Sequence, residues 1–96
     1  MKLLTKEIER KLPKLHANDG MKDPEAIVKF FTPDGNWTWY ATEFDGKDEF
    51  FGLVEGHEQE LGYFSLADLK KVRGLMGLPV ERDTCFQPTP LSKIRR

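Results

Sequence analysis

The side chains best suited to chemistry are few and scattered. His16, His57 and Cys85 account for every histidine and cysteine, and they stand far apart along the chain. A structural zinc site takes four Cys or His ligands, usually in close pairs, so three isolated candidates do not make one. A nucleophilic pair of Cys85 with a histidine needs a contact in space that spacing does not supply, and Cys85 reads instead as an ordinary small apolar residue on a strand. The carboxylates lie closer together: Glu43, Asp45, Asp48 and Glu49 fall at neighbouring strand ends and turns, with His57 beyond. Paired acids can share a divalent cation or divide the roles of acid and base. Their spacing matches no calcium loop, however, and acids at turns are ordinarily just solvated. There is no Gly-x-Gly-x-x-Gly, phosphate loop or Gly-x-Ser-x-Gly motif. No catalytic constellation, metal or cofactor is therefore expected.

Charge carries more information than any single motif. A net charge of −1 conceals an acidic stretch, in which Glu43, Asp45, Asp48, Glu49, Glu55, Glu58 and Glu60 stand against Lys47 alone. The C-terminal third is basic, with Lys70, Lys71, Arg73, Arg82, Lys93, Arg95 and Arg96 against Glu81 and Asp83, and the first fifteen residues are basic too. Such polarity fits either solvated turns and termini or an electrostatic docking surface. The aromatics also admit two readings. Trp37, Trp39 and Tyr40, with Phe50 and Phe51, form either the core or a platform for bases or a protein partner.

These residues must be positioned by elements that the sequence marks out. Thr5 caps a short helix ending near Leu12, with Leu4, Ile8 and Leu12 on one face and Pro13 as the stop. His16 to Pro24 reads as a loop. Ala26–Thr32 has strand composition, Pro33-Asp34-Gly35-Asn36 is a turn with Gly35 expected at positive φ, and Trp37–Phe44 returns. Alternation places Trp37, Trp39 and Ala41 on one side of that strand, and Thr38, Tyr40, Thr42 and Phe44 on the other. Asp45-Gly46 turns into Phe50–Glu55, and Gly56–Glu60 turns into Leu61–Phe64. Ser65, followed three residues later by Asp68, reads as a capping box, with Phe64 and Leu69 as a hydrophobic staple and Gly74 as a left-handed stop. Val80–Phe86 is available as a fifth, edge strand, and residues 87–96 read as a loosely held basic tail.

The expectation is one α+β domain spanning residues 1–96: a four-stranded antiparallel meander in the order 1-2-3-4, with a short helix before it and another after strand four. With 96 residues, 39% of them hydrophobic, and ten of eleven aromatics between Phe30 and Phe64, the chain can enclose one core. A lone cysteine, a charged N-terminus without an apolar run, and no stretch approaching a membrane span point to a cytoplasmic protein that does not enter membranes.

Several segments carry a resemblance. KLLTKEIERKLP at 2–13, NWTWYATEFD at 36–45, ELGYFSL at 60–66, and LPVERD and PTPL near the C-terminus resemble the bacterial family known as domain of unknown function 2958. The resemblance covers nearly the whole chain and implies an accessory of plasmids, phages or integrative elements, with roles in DNA upkeep, transfer or evasion of host defence. It supplies no catalytic residues.

The expected function is a non-enzymatic interaction protein that binds another protein through the acidic hairpins Glu43–Glu60 and the Trp37 and Trp39 face. An inhibitor of a host defence complex is one concrete form. The alternative is a nucleic-acid-binding module that sets Lys70, Lys71, Arg73, Lys93, Arg95 and Arg96 on phosphates and stacks Tyr40 or a tryptophan on bases. Residue types do not fix the oligomeric state.

Overall fold

The alternating aromatic stretch in the middle of the chain forms the sheet. In the computed structural model, which describes residues 1–95, α1 (Lys6–Lys11) precedes β1 (Glu25–Ala26), β2 (Val28–Phe31), β3 (Thr38–Phe44), β4 (Glu49–Glu55) and β5 (Gln59–Ser65). α2 (Leu66–Lys71), β6 (Glu81–Arg82) and β7 (Thr89–Pro90) follow, and a single 3-10 turn covers Leu91–Lys93. β2 to β5 make the expected meander, and β6 adds to the free side of β2, giving five strands in the order β5-β4-β3-β2-β6. β1 and β7 pair apart from them.

Both helices begin where their caps lie. The Ile8 amide donates to Thr5 Oγ1 at 3.2 Å, and the Asp68 amide donates to Ser65 Oγ at 2.9 Å. Two further amides at the start of α2 are met from the turn between β3 and β4: Leu66 N–H donates to the Asp48 carbonyl at 2.8 Å, and Ala67 N–H to the Asp48 carboxylate at 2.9 Å. One sheet face, the helix face, packs Val28, Phe30, Trp39, Ala41, Phe44 and Phe50 under Leu3, Leu4, Leu12, Leu69 and Val80. Phe50 is its centre, with ring centroids 5.6 Å from Phe30, 4.5 Å from Phe44 and 5.3 Å from Phe64. Each such ring pair adds about 0.5–1.5 kcal/mol to what burial alone contributes.

Phe44 lies on the helix face, contrary to simple alternation. The pairing of β3 with β4 shifts between Ala41 and Glu43, so Thr42 is an extra, bulged residue. A bulge reverses the in-out order beyond it, which turns Phe44 toward Phe50 and Glu43 toward the opposite face. Thr42 is itself buried and donates its hydroxyl to the Phe51 carbonyl at 3.0 Å. The first strand is likewise broken, at Ile27, whose amide donates to the Ala41 carbonyl at 2.8 Å. Ala26 consequently joins the other core, with Tyr40, Leu53 and Leu91, while Val28 stays with the helices.

The residues read as a loose tail are docked as far as Arg95. β7 pairs with β1, and Leu91 is buried with Phe86 and Ile94 packed beside it over Tyr40 and Leu53. The Ser92 amide and hydroxyl donate to the Asp23 carboxylate at 2.9 and 2.6 Å. Leu91 and Ile94 supply what a basic composition conceals, apolar surface that covers Tyr40 and Leu53, while Leu61 and Tyr63 on the same face stay largely exposed. Arg96 lies outside the described residues. Two glycines also differ from expectation, since positive φ occurs at Gly20, Gly46 and Gly77 and not at Gly35 or Gly74. Gly35 is instead pressed against Thr32, where a Cβ would lie 2.8 Å from Oγ1.

The bulge makes Gly52 irreplaceable, because a Cβ there would lie 1.8 Å from the Tyr40 carbonyl oxygen, whereas its cross-strand partner Gly62 faces open space. Gly52→Ala is expected to lower stability by about 1–3 kcal/mol through forced backbone displacement. Gly62→Ala should leave the urea midpoint nearly unchanged, and equal midpoints for the two variants would remove the steric account.

A second expectation concerns acid. The hydrogen bonds from the Ser92 hydroxyl and amide hold the Asp23 carboxyl below its ordinary range. A depressed carboxylate stabilises the fold above its unfolded value, about 3.9, and that contribution is lost as pH falls through the lower folded value. Amide protection at Ser92 should therefore persist at pH 5 and above and disappear in strong acid, and Asp23→Asn should remove this dependence. Hydrogen exchange followed by NMR measures both.

Candidate functional site

Antiparallel strands send successive turns to opposite ends of the sheet, and this divides the acidic stretch. β4 runs about 20 Å from Glu49, beside the turn of Asp45 and Asp48, to Glu55 and the turn of Glu58, while Glu43 lies opposite Phe51 and Glu60 opposite Val54 on the two flanking strands. The two groups form two surfaces.

At the Asp45 end most of the carboxylates serve the backbone. Glu43 is buried, and its two oxygens accept from the amides of His16 at 2.8 Å and Asn18 at 2.9 Å. It pins the loop after α1, in which His16 takes a φ of +71°. Asp45 Oδ1 accepts from the amides of Lys47, Asp48 and Glu49 at 2.8, 2.8 and 3.0 Å. The bonds from Asp48 and Lys47 are the main reason that its carboxyl lies below the ordinary range. Asp48 caps α2, as described, and Glu49 is exposed at the start of β4. Two amides on the buried Glu43 carboxylate contribute about 1.5–3 kcal/mol each, and Asp45 and Asp48 satisfy backbone donors at the turn and the helix start, so all three serve as architecture.

The aromatics separate as well. Tyr40 is buried on the second face against Phe86, with the Lys29 ammonium 5.7 Å from its ring. Trp39 is only 7% exposed, on the helix face, beneath Trp37. Trp37 is 40% exposed, stacks on Trp39 at 6.0 Å and meets His57 edge-on at 5.8 Å. Its ring covers Gly56, where a Cβ would lie 2.4 Å away. The basic residues do not converge either. Lys70 borders the helix face, Arg73 donates to the carbonyls of Lys70 and Val72, and Arg95 borders the other face beside Thr42 and Leu61.

What gathers instead is an apolar end of the sheet. Arg73 and Pro79 form a bridge that closes a tight loop, turned at Gly77 with a φ of +81°. Leu75 and Met76 project from it at 95% and 81% exposure. Asp34, from the turn between β2 and β3, holds that loop: its Oδ2 accepts from the amides of Met76 at 2.6 Å and Leu78 at 3.2 Å. Its other oxygen is buried against Gly74, where a Cβ would lie 1.5 Å from it. Gly74 is therefore a glycine of close approach and not of handedness. Between loop and sheet lies a cleft of about 550 Å³ lined by Trp37, Trp39, His57, Val72, Arg73 and Leu75. Glu55, Glu58 and Glu60 stand at the same end, and the Gln59 side chain donates to Glu55.

Sequence reading named Trp37 but missed Leu75, Met76 and Asp34. The available signal was Leu-Met between Gly74 and Gly77, two large apolar side chains in a segment too short for an element of its own. Among the described residues no group of three His, Cys, Asp or Glu side chains is placed to hold a metal ion, and Cys85 is exposed.

Asp34→Ala is expected to free the 75–78 loop while the sheet persists. Exchange at the Met76 and Leu78 amides should accelerate at least tenfold relative to β3 amides, and unchanged protection would show that Arg73–Pro79 pairing alone fixes the loop.

The sequence profile of the family described as "Protein of unknown function (DUF2958)" matches residues 3–95. No curated protein and no solved structure shows significant similarity to the chain. Among the described residues no helix is long and apolar enough to cross a membrane. A profile match over nearly the whole length makes the chain a member of the DUF2958 family.

Proposed function

We propose that this protein is a non-enzymatic interaction accessory of a mobile genetic element that docks on another protein through the Trp37 end of its sheet. The observation that carries the reading is the pairing of exposure with rigidity. The loop that presents Leu75 and Met76 to water is held by the Met76 and Leu78 amides on Asp34, next to a half-exposed tryptophan and a cleft. A backbone pinned so that it presents large apolar side chains to solvent is what binding surfaces centre on. Covering Leu75 and Met76 would contribute about 1.5–3 kcal/mol each. Glu55, Glu58 and Glu60 at this end favour a partner whose apolar contact is ringed by Lys or Arg. The element context, and the form in which the partner belongs to a host defence complex, rest on what the family resemblance implies. The nucleic-acid alternative built on Lys70, Lys71, Arg73, Lys93 and Arg95 with Tyr40 has less support, since these groups do not share a face.

Affinity capture from a bacterial host, identified by mass spectrometry, tests this reading. A specific protein should be retained by the wild type and lost with Trp37→Ala or Met76→Asp, each with an unchanged circular dichroism spectrum. Reversal of Glu55, Glu58 and Glu60 to Lys should slow association. Retention of the partner by all three variants would overturn the site.

A further inference from the structure

The opposite end of the sheet carries a charged surface of a different kind. Two adjoining grooves, of about 700 and 540 Å³, share Lys6, Glu9 and Phe44 in their walls. Lys2, Lys6, Arg10, Lys14, Lys47 and Lys70 line them, against the carboxylates of Glu9 and Asp45. These six cations come from three separated parts of the chain: the N-terminal segment around α1, the β3–β4 turn, and α2. All six are exposed, and among the described residues none of them makes an ion pair. Asp45 is already engaged by three backbone amides, and Asp48 is turned toward α2.

Local structure does not account for this arrangement. Arg10 suits the last turn of α1, but Lys6 occupies its first position, where the helix dipole disfavours a cation. Gathering unpaired cations costs self-repulsion that an anionic ligand would relieve. The grooves also limit which polyanion fits. Phe44 forms their floor but is buried, and the exposed aromatics Trp37 and Tyr63 are not among their linings, so there is no ring on which an unstacked base could rest. Single-stranded nucleic acid is held by charge together with stacking, whereas sequence-independent binding of a duplex rests on its phosphates, which offer the higher charge density.

We infer that the Asp45 end binds the phosphate backbone of duplex DNA, without reading its sequence, through Lys2, Lys6, Arg10, Lys14, Lys47 and Lys70. This surface shares no residue with the proposed protein-docking end, and the two together would let the domain bring a protein partner to DNA.

Fluorescence anisotropy with a labelled duplex oligonucleotide, and with one of its strands alone, tests the inference on the full chain. Duplex binding should weaken as salt rises from about 50 to about 200 mM, with a slope of log K against log salt between about −3 and −5. Lys6→Glu with Lys70→Glu should weaken binding at least tenfold and make the slope shallower by about 2. Should that pair fail to fold, Lys14→Ala with Lys47→Ala, both exposed, should still reduce the slope. Lys93→Glu with Arg95→Glu, on the other face, should leave affinity close to wild type, and Trp37→Ala should too, so the outcome is independent of the docking site. Absence of salt-sensitive duplex binding would overturn the inference. So would tighter binding of the single strand, a slope unaffected by the groove variants, or equal displacement of the duplex by polyglutamate, which would assign the grooves to an acidic protein.

Discussion

One extra residue in β3 sets the arrangement of everything around the Asp45 end. Because Thr42 is bulged out of register, Phe44 and Glu43 exchange the faces that alternation would give them. Phe44 completes the ring cluster on Phe50 and receives α1, whose exit is fixed when the Phe44 amide donates to the Pro13 carbonyl at 2.9 Å. Glu43, now on the other side, accepts two amides of the loop that carries the chain from the helix face to β1. Leu91 and Ser92 then lock onto Asp23 and Pro24 at the end of that loop. The bulge in turn requires a glycine opposite it, at Gly52, and a hydroxyl at Thr42 to meet the Phe51 carbonyl. A displaced bulge would cost about as much as leaving Glu43 without its amides, which is several kcal/mol and comparable to the whole stability of a small domain.

Charges in this domain divide into those that build it and those that face outward. Glu43, Asp45, Asp48, Asp23 and Asp34 all accept backbone amides, and each closes a turn, a helix start or a loop. Accepting an amide in a fixed position is where a carboxylate is most useful to a small core, because it satisfies donors that the short elements leave unpaired. Some of the remaining ions gather at the two ends of the antiparallel sheet. Glu55, Glu58 and Glu60 flank the apolar Trp37 end, while lysines from three segments border the grooves at the other. A net charge near zero thus coexists with two surfaces of different character.

Local chemistry was legible in the residues. Thr5 and Ser65 cap the helices as side-chain acceptors must, Asp45-Gly46 makes its turn because Gly46 accepts a φ of +86°, and the meander follows from alternation between turn residues. The family resemblance was carried by runs such as NWTWYATEFD and agreed with the profile match. These features depend on neighbours within a few positions, so the sequence contains all of their causes.

Other features depend on who meets whom across the fold, and periodicity has no access to that. Nothing local marks Thr42 as a bulge; it is selected because Phe44 is needed on one face and Glu43 on the other. Gly74 reads as a helix stop, yet what it accommodates is the carboxylate of Asp34, forty residues earlier in the chain. Leu91 and Ile94 look like part of a polar tail until the uncovered face of Tyr40 and Leu53 gives them something to bury against. The acidic stretch is contiguous in the chain and divided in space, because a strand of seven residues carries its ends about 20 Å apart. Sequence by itself determined the meander, the two helix caps and the family; tertiary structure decided the β1–β7 pairing, which charges were spent on the backbone and which side chains were left facing water, because these depend on contacts between distant segments.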